Sequence, residues 1–146
     1  MLGAVARLLT LSHEAVEHLA KKDRTTVAAQ QALSGLLGEA REGLSWVPHP
    51  EDARGLAFEK VDPAADLFDP TGSLPWPPAS ARLVVGYHLE SGRLIRTAGA
   101  TRQTLATGLA GFEWSHDRAQ VLRVRLSVEE SKKVMVLESE VRCPLQ

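Results

Sequence analysis

One cysteine, Cys143, occurs in 146 residues, so no disulfide can form within the chain and cysteine usage is silent on redox compartment. Nothing in the sequence places a base beside it, and it reads as an inert edge thiol rather than a nucleophile. Charge of one sign is also lacking. Seventeen basic against 18 acidic side chains leave a net charge of −1, which removes any overall pull toward nucleic acid or membrane phosphates. No nucleic-acid partner is expected. Aromatics are scarce, at three Trp, three Phe and one Tyr. Each isolated Trp reads as a core or loop anchor before it reads as a ligand platform. Proline is missing from the first 47 residues and appears eight times after them.

That proline-free opening carries helical spacing. Val5, Leu9, Ser12, Val16, Leu19, Asp23, Thr26, Gln30, Leu33, Leu37, Ala40, Leu44 and Val47 recur in alternating steps of three and four. Pro48 biases Val47 out of the α region, so the spacing predicts one helix over 1–47. At ~1.5 Å per residue such a helix would extend roughly 70 Å, more than a small domain can cover. The stripe is apolar over the first 20 residues and again over the last third, with Lys21 to Thr26 between them. The expectation is therefore a two-job helix, with 1–20 projecting and 27–47 packed on the protein's own sheet. Residues 1–11 are too few to span a bilayer before His13, Glu14, Glu17 and His18 follow, and they lack the basic start and cleavage site of a signal peptide.

After Pro48 the patterning changes to that of strands. Leu56, Phe58 and Lys60 alternate with Ala57, Glu59 and Val61. Residues 62–81 hold five prolines and three aspartates and read as a long loop. Asp62, Asp66 and Asp69 match no calcium-loop spacing, and no metal is expected there. Leu83 to Leu89 and Arg93 to Arg96 flank Ser91-Gly92, a hairpin that sets Glu90 opposite Arg93 and Leu89 opposite Leu94. Residues 97–107 read as a connection anchored by Leu105. A strand through Leu109, Phe112 and Trp114 carries an irregularity at Gly111. In the last hairpin a four-residue loop at Glu130 to Lys133 makes both faces agree on one register: Arg125 with Glu138, Arg123 with Glu140, Leu126 with Leu137 and Leu122 with Val141. The fold class expected is α+β, a long N-terminal helix packed on an antiparallel sheet built from hairpins, with 48–146 as the β head.

Catalytic chemistry finds no footing. His13 and His18 are five residues apart, about 140° around a helix, so they cannot share a metal as H-E-x-x-H histidines do. His49, His88 and His116 fall in or beside loops or on the sheet. No G-x-S-x-G supports a Ser-His-Asp arrangement, and Gly108-Leu109-Ala110-Gly111 lacks the lysine and helix of a phosphate loop. No enzyme activity, cofactor or metal is expected.

The order of elements and several local phrases resemble the pilin-like proteins, most closely the J-type minor pseudopilin of type II secretion systems. Tyr87 to Arg96 is similar to that family's tyrosine strand, turn and "g-x-L-x-R" strand. Leu105 to Trp114 resembles its "la-x-g-v-x-x-f-x-f" segment, and Val121 to Val141 its closing hairpin. The prepilin signature, a basic leader with a glycine cleavage site followed by Phe and Glu, is not present, so no processing residue carries over. Residues 1–20 would match the later part of the family's membrane helix. The resemblance implies a structural, non-enzymatic subunit at the tip of a pseudopilus, in contact with other pilin-like subunits through Leu2, Val5, Leu8, Leu9, Val16 and Leu19. It implies a periplasmic head and an inner-membrane anchor supplied by an upstream segment. Two alternatives stand beside it: a minor pilin of a type IV pilus or DNA-uptake system, and a soluble cytoplasmic ligand-binding or regulatory domain dimerising through the same helix.

Overall fold

A computed structural model describes residues 24–65, 79–130, 132–143 and 145. Residues 24–41 are helical (α1). Eight strands follow: β1 (Gly43–Trp46), β2 (Leu56–Val61), β3 (Arg82–Glu90), β4 (Arg93–Ala98), β5 (Thr101–Ala106), β6 (Leu109–His116), β7 (Val121–Glu130) and β8 (Lys133–Arg142). They form two antiparallel sheets, one ordered β1-β2-β3-β4-β5 and the other β6-β7-β8. With 55% of the described residues in strands, the fold is mostly β.

The expected fold class is thereby corrected: this is not a long N-terminal helix on a single hairpin-built sheet. Helix α1 stops at Arg41, a turn follows in which the Glu42 amide donates to the Glu39 carbonyl at 3.0 Å, and Gly43 to Trp46 already pair with β2. Pro48 was the wrong stop signal. A Cβ at Gly43 would lie 2.6 Å from Leu145 Cδ2 and 3.0 Å from the Ala40 carbonyl, so the chain turns out of the helix where close approach demands glycine. Leu44 and Trp46 then act as strand residues, because tertiary pairing overrides a helical period carried by one or two positions. The expected connection over 97–107 is likewise corrected, since Thr101–Ala106 pairs with β4 as β5.

Both predicted hairpins hold their registers. Glu90 pairs with Arg93 and Leu89 with Leu94 across a turn in which Ser91 and Gly92 both take positive φ (51° and 74°). Arg125 pairs with Glu138, Arg123 with Glu140, Leu126 with Leu137 and Leu122 with Val141. The irregularity falls between Leu109 and Gly111, where the β6–β7 register shifts.

One core unites the helix with both sheets. Ala29, Leu33, Leu36, Leu37 and Ala40 of α1 are buried together with Leu56, Phe58, Val85, Tyr87 and Leu94 of the larger sheet and Leu122, Val124, Leu126 and Val128 of the smaller. Full burial of aliphatic side chains of this size contributes ~1.5–3 kcal/mol each. Cys143 is buried too, its thiol donating to the Ala40 carbonyl at 3.0 Å, rather than lying at an edge. No helix among the described residues is long and apolar enough to cross a membrane.

Candidate functional site

The six expected contact residues, Leu2, Val5, Leu8, Leu9, Val16 and Leu19, lie outside the described residues, as do His13, His18, Asp66, Asp69 and Trp76. What the structure supplies is the place where the helix is fastened to the head. Glu39, next to the buried Ala40 on α1, points at the larger sheet. Arg96 of β4 grips both its oxygens, Nε to Oε1 at 2.8 Å and the guanidinium NH2 to Oε2 at 2.6 Å. Lys60 of β2 donates to Oε2 at 3.2 Å, and the Tyr87 hydroxyl of β3 donates to Oε1. Three strands thus converge on one carboxylate whose side chain is 14% exposed.

Electrostatics favour the ionised form. Burial by itself raises the Glu39 pKa, but hydrogen bonds from Arg96 and Tyr87, the Arg96 charge and the Lys60 contact outweigh it and bring it to about 2. Burial and the same carboxylate push the Tyr87 hydroxyl well above its ordinary range, while the hydrogen bond to Glu39 pushes Arg96 further up. Glu39, Tyr87 and Arg96 each keep one protonation state at neutral pH. That suits a fastening and not proton transfer, which needs a pKa near the working pH.

A second cluster sits where the 47–55 loop covers the opposite face of the larger sheet. His49 Nδ1 accepts the Glu51 and Asp52 amides at 3.1 and 3.0 Å, so the ring proton is on Nε2. Burial and the nearby His88, with ring centroids 4.7 Å apart, lower the His49 pKa. His88 Nε2 lies 3.4 Å from Glu90 and 3.5 Å from Glu51. Arg102 bridges those two carboxylates, reaching Glu51 at 2.6 Å. The His49 ring rests on the backbone: a Cβ at Gly86 would fall 2.7 Å from its Nε2, and one at Gly55 2.6 Å from Cδ2. Glycine at both positions leaves the room the ring occupies.

The third cluster stitches the two sheets. Trp46 of β1 stacks on Trp114 of β6 at 5.6 Å and meets Phe58 edge-on at 6.4 Å and His116 at 5.0 Å. Trp114 Nε1 donates to the Arg54 carbonyl at 3.2 Å, and His116 Nε2 to the Cys143 carbonyl at 2.9 Å. Beside Trp114 runs a groove of about 730 Å³ walled by Leu89 and Phe112, with Asp52, Arg54 and Glu113 at its rim. Trp46 and Trp114 therefore anchor the core, as expected, and do so as a stacked pair. Asp62 Oδ1 accepts the Ala64 amide at 2.9 Å in a local turn, and among the described residues no three His, Cys, Asp or Glu side chains are grouped to hold a metal.

Comparison with protein-family models, curated proteins and solved structures gives no match to this chain.

Reasoning from sequence missed the Glu39 cluster, though its signal was present. Extending the Leu89–Leu94 register sets Tyr87 beside Arg96, so Arg96 shares the inward face of Leu94. An arginine facing a core needs a counter-charge. Glu39, three residues from Leu36 and one from Ala40, is the acidic side chain on the helical face that meets it.

Proposed function

We propose that this chain is a structural, non-enzymatic subunit of a pilin-like assembly, of the minor pseudopilin kind, which joins neighbouring subunits through its N-terminal segment. The observation that carries this reading is the fastening of α1 to the head. A subunit held in a filament by one helix transmits load between that helix and its globular part, and the junction must resist sliding. Apolar packing of Leu33, Leu36, Leu37 and Ala40 is non-directional and permits a slip along the axis. The bidentate Arg96–Glu39 pair, with Lys60 and Tyr87, fixes the register because charge-assisted bonds in fork geometry tolerate little displacement. In the sequence ahead of this junction Leu2, Val5, Leu8, Leu9, Val16 and Leu19 recur at helical spacing, a pattern that would suit neighbouring helices.

Under this reading the head lies on the periplasmic side of the inner membrane. The experiment is co-isolation of other pilin-like subunits with the tagged chain, comparing wild type with Leu9→Asp. Loss of partners in the variant, with the head's near-UV circular dichroism intact, supports the assembly. Unchanged partners and oligomeric state overturn it.

A further inference from the structure

The outer edge of the smaller sheet is a surface that none of the contacts above uses. β8 pairs with β7 along its whole length, and no described strand borders its other side. A row of backbone donors and acceptors along ten residues is left facing outward. Such edges template pairing with another chain and are ordinarily blunted by charged side chains or proline. Along β8 the blunting is uneven. The second half carries Glu138, Glu140 and Arg142, whereas the first has a single charge, Lys133, followed by Val134-Met135-Val136-Leu137. Val134 is 58% exposed, Met135 38% and Val136 50%. Val134 and Val136 share the face of Glu138, while Met135 lies beside the buried Val128 on the other. Apolar surface is thus exposed on both faces of the strand along the first half of this edge.

We propose that β8 pairs antiparallel with β8 of a second copy about a two-fold axis at Met135, merging two three-stranded sheets into one of six strands. The sequence of the edge selects both occupant and register. An axis at residue 138, 139 or 140 sets glutamate against glutamate, which is destabilising across strands. At Leu137 it sets Val134 and Val136 against Glu140 and Glu138. At Val136 it leaves Val134 against Glu138. At Met135 the pairs within β8 are Val134 with Val136, Met135 with Met135 and the Lys133 stem with Leu137. Apolar meets apolar and no like charges meet, from one strand repeated. A two-fold contact requires this self-complementarity. The overlap is short, so the association belongs with weak, transient contacts. It is separate from the filament reading, because it involves no residue of the N-terminal stripe.

The test is cysteine cross-linking of the full chain carrying Cys143→Ser, which removes the native thiol while keeping a hydroxyl donor at that position. An axis at Met135 brings the two residues at that position to about 4.5–5.5 Å between Cα atoms, within disulfide reach. It leaves the two copies of residue 137 four positions out of step, roughly 13 Å apart. Met135→Cys is expected to form an interchain disulfide in a glutathione buffer at least tenfold faster than Leu137→Cys. Adding Val136→Lys to Met135→Cys is expected to slow that reaction at least tenfold with the far-UV spectrum unchanged, and Leu9→Asp to leave it unchanged. Equal rates at 135 and 137, no cross-link at 135 at millimolar protein, indifference to Val136→Lys, or capture of a different chain in place of a second copy would each overturn the proposal.

Discussion

Replacing Glu39 by Gln tests whether the carboxylate fastens helix to sheet. The change keeps the shape of the side chain and removes its charge, stranding Arg96 in a site where its own side chain is 23% exposed. Holding a carboxyl at about 2 in place of the ordinary 4.5 corresponds to roughly 3 kcal/mol if fully expressed. Residual water contact screens part of it, which brings the expected loss at pH 7 to about 2 kcal/mol. The pH dependence has a definite sign. A carboxyl whose folded pKa lies below its unfolded one contributes its full stability above about 4.5, and that contribution is lost as pH falls toward about 2. Urea unfolding followed by fluorescence of Trp46 and Trp114 measures both. Wild type and Glu39→Gln should differ by about 2 kcal/mol at pH 7, and the gap should close as pH falls to about 2, where the folded wild-type carboxyl is half protonated and the unfolded one almost wholly so. A loss under about 0.5 kcal/mol at pH 7, or a gap as wide at pH 2.5 as at pH 7, refutes the idea that ionised Glu39 holds the helix.

Three further outcomes follow from the other clusters. Gly86→Ala puts a methyl where His49 Nε2 would be 2.7 Å away and Thr97 Oγ1 2.9 Å away, and it should cost about 1–3 kcal/mol in thermal or urea unfolding; adding His49→Ala should recover part of that loss, and no recovery would place the strain elsewhere. His49 should titrate below its ordinary 6.5 in a proton NMR pH series, since burial disfavours its charge and its Nδ1 accepts two amides. Stability from the neutral ring is present above 6.5 and declines as pH falls through the folded value, so a midpoint at or above 6.5 contradicts the packing described. The Cys143 thiol, buried and shifted up by that burial, should react with Ellman's reagent only at the rate of unfolding, and fast labelling under native conditions would contradict its contact with Ala40.

How much of this was legible beforehand depended on distance along the chain. The two hairpins were readable because Glu90-Arg93 and the Arg123, Arg125, Glu138 and Glu140 set lie close to short turns and alternation propagates along both strands, although Glu130 and Lys133, expected in a four-residue loop, themselves pair. The end of α1 was not, since Leu44 and Val47 fit a helical period equally well and the decisive contact of Gly43 is with Leu145, a hundred residues away. β5 escaped notice because Thr101 to Thr104 are exposed and polar, with no buried face to set a pattern. The His49 cluster was hidden for a related reason: the need for glycine at 55 and 86 exists only once a ring from another segment lies on them.

By itself the sequence determined where strands turn back on their neighbours and which of their faces is apolar, because these follow from side-chain alternation and turn chemistry over a dozen residues or fewer. Only the tertiary structure decided that eight strands divide into two sheets sharing one core with a helix, and that Glu39 meets Arg96, Lys60 and Tyr87. Those outcomes depend on which apolar faces can be buried together and which buried charge needs a partner. Burial is non-directional and indifferent to sequence separation, so local pattern cannot specify the partner.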